Sequence, residues 1–455
     1  MTTTTNPPPS IMQKSLFSLT WPIFIDTLMV FLINAADAWF LSQESDEAAA
    51  AVGAVLPIAG MCFSFFIALN AAGTAVAAQH LGKQYSAGQA GGNTVAHTFG
   101  ALLILCAFAG VCISLLLLVF SAQFTALMGL TGSAATTAST YLHTLGFGTL
   151  ILALRFGGSA MLQAHGKTQW NMVCTGLMTA VNIFFNYAFI YGAFGLPVLG
   201  VLGIALATCI AWGINLIATF TTLYFLRIQF TLPESLRTLN VNMRPILTIA
   251  IPSALEPLAW HISQLIIMSM IVSMGHVALA TRVYAFNIIF IVIIFTSALS
   301  AGIQLKVAYL FGARQFITMH NTLKKGVWQG LLVVLFMTGS VYLFAAQLLG
   351  LFSQNTAVIA LGTSILAVAV FTEVGRLLNM VVGFSVKVTG NAQFIATFGI
   401  TAMWFIALPL TWLLGVHWGY GLLGIWLAMG VDECFRGGVA TWYWYRKQHA
   451  RVAHL

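Results

Sequence analysis

Twelve apolar stretches, each long enough to cross a bilayer, lie near residues 15–41, 49–81, 92–121, 136–164, 168–192, 198–226, 244–273, 278–311, 317–348, 356–388, 391–416 and 420–446. Inside a bilayer every backbone N–H and C=O must be satisfied within the protein, so continuous apolar runs of this length read as helices. No soluble core could hide the remainder: 60% of the 455 residues are hydrophobic, 6% are charged, and the mean hydropathy is +0.94. The expected fold class is all-α, a polytopic membrane protein with 12 transmembrane helices. A polar, charge-bearing connection from Arg227 to Asn242 divides the helices six and six. The expected organisation is a polar tail at 1–14, an amino-terminal six-helix lobe at 15–226, a linker at 227–243, a carboxy-terminal six-helix lobe at 244–446 and a tail at 447–455.

The net charge of +8 would suit a nucleic-acid partner if it were clustered, and it is not. Lys14, Lys83, Lys167, Arg227, Arg237, Arg244, Arg314, Lys324, Lys325, Arg446, Lys447 and Arg451 flank or occupy the tails and every second loop. The intervening loops 42–47, 121–132 and 346–356 hold no lysine or arginine. This is the positive-inside pattern, which places both termini in the cytoplasm and excludes a nucleic-acid role. The first ten residues lack a basic stretch of the secretory-signal type, so the first helix is expected to act as an uncleaved targeting segment in the inner membrane. The six cysteines lie in apolar runs, none at metal-ligand spacing with a histidine, and read as packing residues.

The halves repeat. Ala48 to Ile58 aligns with Ala278 to Ile288, Gly82 with Gly312, Gly166 with Gly390, and Gly200 to Thr208 with Gly421 to Met429. Pro22 and Asp26 meet their counterparts in Pro252 and Glu256. Each half has six spans, so the copies enter the membrane in the same direction. They are expected to be pseudo-symmetric lobes related by an axis along the membrane normal, with a cavity at their interface.

A carboxylate costs a few kcal/mol or more at the bilayer centre, so one found there usually has a task. The first span holds two, Asp26 and Asp37, together with Pro22. Asn34 and Asp37 are three apart and share a helix face, and Asp26 lies eleven before Asp37, nearly the same face about 16 Å along the axis. Desolvation favours the neutral form of a carboxyl group, so such a residue can load a proton on one side and release it once rehydrated or paired. The plainer role is to hold helices together by accepting hydrogen bonds. Pro22, one turn from Asp26, is the candidate hinge, because a proline removes a backbone donor and permits a kink.

Two roles are open to Glu256, beside Pro257: attracting a cationic substrate, or satisfying backbone groups freed by the prolines. Glu373 and Arg376 are spaced to pair on the tenth span, and so are Asp432 or Glu433 with Arg436 on the twelfth. An internally neutralised pair is cheaper in lipid than a lone charge, so a structural role leads for both sets. Arg155 and Arg282 have no partner nearby in sequence, which leaves Asp37, Glu256 and Glu373 as candidates. His261, in the middle of the seventh span, reads as a hydrogen-bonded packing residue before a proton carrier. Methionines and aromatic residues supply surface that adapts to varied apolar cations. Phosphate-binding, metalloprotease and nucleophile-elbow motifs are missing from the sequence, which disfavours ATP-driven transport and hydrolysis.

Several stretches together resemble the multidrug and toxic compound extrusion (MATE) family across residues 15–446. They are Pro22 to Asp26, Asn34 to Asp37, Gly82-Lys83, Tyr141-Leu142, Asn182 to Asn186, Gly203 to Thr208, Ile251 to Glu256 and Asp432 to Arg436. The glutamate four residues after Pro252 is most similar to the DinF-like branch. The resemblance implies a non-enzymatic, monomeric antiporter that exports organic, often cationic, compounds against protons or sodium and needs no cofactor or resident metal. It implies an ion site formed by Asp37 with Tyr141, Asn182, Asn186 and Thr208. Many members carry an aspartate where Asn186 stands; its absence here weakens sodium binding and leaves Asp37 as the switch. Substrate contacts are expected from Asp26, Glu256, Glu373 and His261.

The functional expectation is thus a proton-coupled efflux antiporter working by alternating access. A lipid-linked saccharide flippase of the same superfamily is the first rival, kept open by Arg155, Arg282 and Arg376, since its anionic substrate calls for unpaired arginines. A membrane channel or membrane-embedded enzyme is the second.

Overall fold

A computed structural model describes residues 10–88, 93–232 and 235–453. The first nine residues of the expected tail, Pro233 and Glu234 of the linker, and the last two residues of the chain lie outside this range. The described chain is helical throughout, with no strand. Its long helices are α1 (Leu16–Glu44), α2 (Asp46–Ser86), α3 (Thr94–Leu127), α4 (Gly132–Ala164), α5 (Thr168–Tyr191) and α6 (Gly200–Phe225), then α7 (Leu236–Ser273), α8 (His276–Gly312), α9 (Phe316–Leu343), α10 (Thr356–Val386), α11 (residues 392–417) and α12 (Gly421–Ala453). These are the twelve spans. Helix α7 begins inside the expected linker, so part of that segment is an extension of the seventh span.

Ten described runs are long and apolar enough to cross a membrane, one of them Thr356–His417 with 62 residues. That run is two spans, because Thr389 leaves helical geometry and Gly390 takes φ 91°, a left-handed conformation that suits glycine. Helix α12 is less apolar than these runs because it carries Asp432, Glu433 and Arg436 close together. Local chemistry sets the other boundaries. Ser45 alone joins α1 to α2, extended in backbone, its hydroxyl accepting the Ala48 N–H at 3.0 Å. Pro409, inside α11, lies between two five-residue π-helical stretches, Met403–Ala407 and Leu413–His417, which absorb the missing donor and the ring's bulk.

Contacts divide the described residues into an amino-terminal unit (10–13 and 21–254) and a carboxy-terminal unit (14–20 and 255–453). In the amino-terminal unit Phe99 and Leu103 of α3 pack against Met161 and Leu162 of α4. The chain after α6 folds back on α3, where Thr231 N–H donates to the Ala96 carbonyl at 3.1 Å. A methyl group at Gly100 would collide with the Thr231 carbonyl, so this return needs glycine there.

In the carboxy-terminal unit α10 and α12 approach at backbone distance. A Cβ at Gly375 would lie 2.7 Å from the Cys434 nitrogen, and one at Gly437 would lie 3.0 Å from the Gly375 carbonyl oxygen. Small residues let transmembrane helices meet this closely. The approach brings the charged residues of both helices within reach of one another.

Candidate functional site

Asp37 sits on α1, 7% exposed, facing α5 and α6 of its own unit. Asn186 Nδ2 donates to Asp37 Oδ1 at 2.6 Å, and Thr208 Oγ1 donates to Asp37 Oδ2 at 3.2 Å. Asn182 stands behind both, donating to Thr208 Oγ1 at 3.3 Å and accepting from Asn186 Nδ2 at 3.2 Å. Asn182 and Asn186 are completely buried and four apart, so α5 presents both amides from one face. Tyr141 on α4 is buried within electrostatic range of Asp37. Among the described residues no lysine, arginine or histidine nitrogen lies within 4 Å of the Asp37 carboxylate. The group therefore consists of one acid, two amides and two hydroxyls. The Oδ1 of Asn186 is buried without a hydrogen-bond partner.

Asn34 does not join this group. It is exposed, and none of the bonds to Asp37 involves it. Three residues advance a helix by about 300°, so Asn34 is turned some 60° from Asp37, enough to carry it out of the buried face.

Asp26 lies on the same helix with its Oδ1 buried and without a hydrogen-bond partner. The Thr175 hydroxyl on α5 is within reach, and the Arg155 guanidinium on α4 is within electrostatic range. Arg155 also stacks over the Phe156 ring at 4.5 Å. Thr175 and Asn186 are eleven apart on α5, matching the spacing of Asp26 and Asp37 on α1. Thr175 was missed from the sequence, although that shared spacing could have disclosed it. Pro22 is buried within α1, whose helix continues through it.

The carboxy-terminal unit holds a different kind of polar interior. Glu373 pairs with Arg376 Nε at 3.1 Å, and Arg376 Nη2 lies 3.8 Å from Glu433. Arg436 Nη2 pairs with Asp432 at 2.6 Å and Glu433 at 3.4 Å, and Asn379 donates to Glu433 at 2.8 Å. Glu256 on α7 pairs with Lys387 at 2.5 Å. Arg282 donates to Gln264 at 3.2 Å, stacks over Phe286 and Trp426, and is within electrostatic range of Arg376.

These pairs involve two of the residues expected to contact substrate. Glu373 is 1% exposed and pairs with Arg376 through Oε1, while its Oε2 is buried without a hydrogen-bond partner. Glu256 is neutralised by Lys387, a residue the sequence reading passed over because it ends a long apolar run with no acid within a helical turn. His261 is half-buried, its ring edge-on to Trp260 at 5.1 Å, and among the described residues no carboxylate lies within 4 Å of it. Arg155 and Arg282 meet none of Asp37, Glu256 and Glu373 as ion pairs among the described residues.

The helix count, the paired units and the buried polar groups define a polytopic membrane transporter. Comparison with known proteins gives the family. The MatE family model matches residues 22–188 and 252–413, and the chain belongs to that family. It is 33% identical over 440 residues to the uncharacterized transporter YisQ of Bacillus subtilis, covering 96% of this chain and 94% of that one. It is 24% identical over 428 residues to the probable multidrug resistance protein NorM of Thermotoga maritima, covering 93% and 90%. A crystal structure of MATE in the bent conformation superposes with a TM-score of 0.86 at 21% identity, covering 96% of both chains. The chain is thus a transporter and not an enzyme.

Proposed function

We propose that the chain is a proton-coupled antiporter of the inner membrane, with both termini cytoplasmic. It exports organic, cationic compounds, and Asp37 is the coupling group. One observation carries this reading. Among the buried charges described, Asp26 has Arg155 in range, Glu256 has Lys387, and Glu373, Asp432 and Glu433 are matched in number by Arg282, Arg376 and Arg436. Asp37 alone has no cation.

An unmatched carboxylate in a membrane interior is held only at a cost, which a proton removes. Its neighbours suit both forms. Asn186 donates to the carboxylate; with its amide turned over, the unpartnered Oδ1 would accept the hydrogen of a protonated carboxyl. This pocket supplies a single acid, and the lower negative charge weakens its attraction for a sodium ion. Coupling further requires that ion and substrate each bind the two access states with different affinity. The hinge proposed for that change is Pro22, four residues from Asp26. The transporter is taken to work as a monomer.

The test is transport of a fluorescent organic cation by purified protein in liposomes, under an imposed pH or sodium gradient. Proton-driven transport that disappears in Asp37→Asn is the expected result. Sodium-driven transport, or an unaffected variant, sinks the assignment. Failure under both gradients would turn attention to the flippase reading, to which the arginines now lend less support because Arg155 and Arg376 face carboxylates.

A further inference from the structure

The starts of α1 and α9 and the end of α8, all within the carboxy-terminal unit, enclose a cleft of about 400 Å³. Lys306 of α8 and Lys325 of α9 both line it, within electrostatic range of each other. Among the described residues neither ammonium has a carboxylate within 4 Å. Lys306 donates one hydrogen to the Lys14 carbonyl at 2.9 Å, which leaves two donors. Ser15, Thr318 and Asn321 add neutral donors around the two cations. Two like charges facing one polar cleft repel, and an anion between them removes the repulsion.

The depth of the cleft selects the anion. Helix α8 has 37 residues, roughly 55 Å, about 25 Å more than the hydrocarbon core, so both its ends extend into the headgroup layers. Lys306 precedes the end of α8 at Gly312 by six residues, about 9 Å, which places it in that layer rather than in open water. Phe17 at the mouth is 72% exposed, an aromatic surface for an acyl chain. We infer that this cleft binds the phosphate of an anionic phospholipid headgroup, with Lys306 and Lys325 as its two cationic contacts. Basic clefts between transmembrane helices at this level suit such lipids, and lysine binds phosphate as a point charge. One wall is the first turn of α1, the helix that carries Asp26 and Asp37.

Native mass spectrometry of the full chain, released from micelles containing phosphatidylglycerol and phosphatidylcholine, tests the site. Wild type should retain phosphatidylglycerol in preference, and retention should fall about fivefold for each lysine removed in K306Q and K306Q/K325Q. Lys324→Gln removes the same charge from a neighbouring position that lines a different groove, with His320 and Trp328, and should change nothing. Equal retention of both lipids, or a double variant that matches wild type, overturns the proposal. So does complete displacement of the lipid by inorganic phosphate, which would assign a soluble anion instead. If the double variant fails to fold, Thr318→Val with Asn321→Leu keeps both charges and must still weaken retention.

Discussion

Asn186 on α5 donates to Asp37 on α1 at 2.6 Å, and eleven residues earlier on both helices Thr175 faces Asp26. The first and fifth spans run in the same direction, so the equal spacing places two polar rungs on one helix pair. Arg155 is within electrostatic range of one rung, and among the described residues no cation is within range of the other. The two carboxylates of α1 therefore differ in their surroundings, and the proposed coupling role falls to the one without a cation in range.

Asp37→Asn should abolish gradient-driven transport while leaving the protein folded, because an amide fills the same volume and still bonds Thr208. Asp26→Asn removes the acid in electrostatic range of the buried Arg155 and should therefore destabilise the protein. Its expected signature is a lower melting temperature in detergent together with reduced transport. If Asp26→Asn instead left stability intact and uncoupled transport, the two roles would have to be exchanged.

Asn186→Asp would place a second acid in hydrogen-bond contact with the first. Two carboxylates this close cannot both ionise without a cation between them, so the pair should share a proton or take up a metal ion. The expected gain is transport that responds to sodium at fixed pH, where the wild type does not. A sodium response already present in the wild type would contradict the single-acid reading of the pocket.

Much of this was legible in the residues. Apolar length gave the spans, and periodicity alone puts Asn182 and Asn186 on one face of α5. The group around Asp37 followed from family resemblance rather than from spacing, because α1, α5 and α6 meet only in three dimensions. Asn34 shows the limit of helical arithmetic: a residue three positions away is a neighbour, yet a 60° rotation separates a buried face from an exposed one. The pairing of Glu256 with Lys387 was illegible because 131 residues separate them and neither has an opposite charge within a turn. The local pairs Glu373–Arg376 and Asp432–Arg436 were readable, whereas Arg376–Glu433, which links them, depends on how α10 meets α12.

Lys387→Ala should destabilise the protein by about 3–5 kcal/mol, since it strands Glu256 in a largely buried place. Glu256→Gln should cost a similar amount by stranding Lys387. Replacing both should cost much less than the sum, and a double-mutant cycle of detergent melting curves measures the difference. Additive losses would mean that the 2.5 Å contact contributes little and that each residue has separate work. Transport by the double variant then discriminates further: near-normal export would show that Glu256 is not needed for substrate.

Gly375→Val probes the geometry on which the carboxy-terminal charge network rests. The first carbon of any side chain there lies 2.6 Å from Cys434 Sγ and 2.7 Å from the Cys434 nitrogen, and a backbone atom cannot rotate away. Helix α12 must then move outward. The 3.8 Å approach of Arg376 to Glu433 is the longest in the network and the first that such a shift would break. Overpacking of this kind costs about 1–3 kcal/mol by itself. Loss of the ion pair adds to it, so the drop in melting temperature should exceed that of Gly213→Val, where a side chain meets open space. Combining Gly375→Val with Cys434→Ala removes the sulfur but leaves the backbone clash, and should restore little. Full recovery in that double variant would show that the sulfur, not the backbone approach, sets the α10–α12 distance.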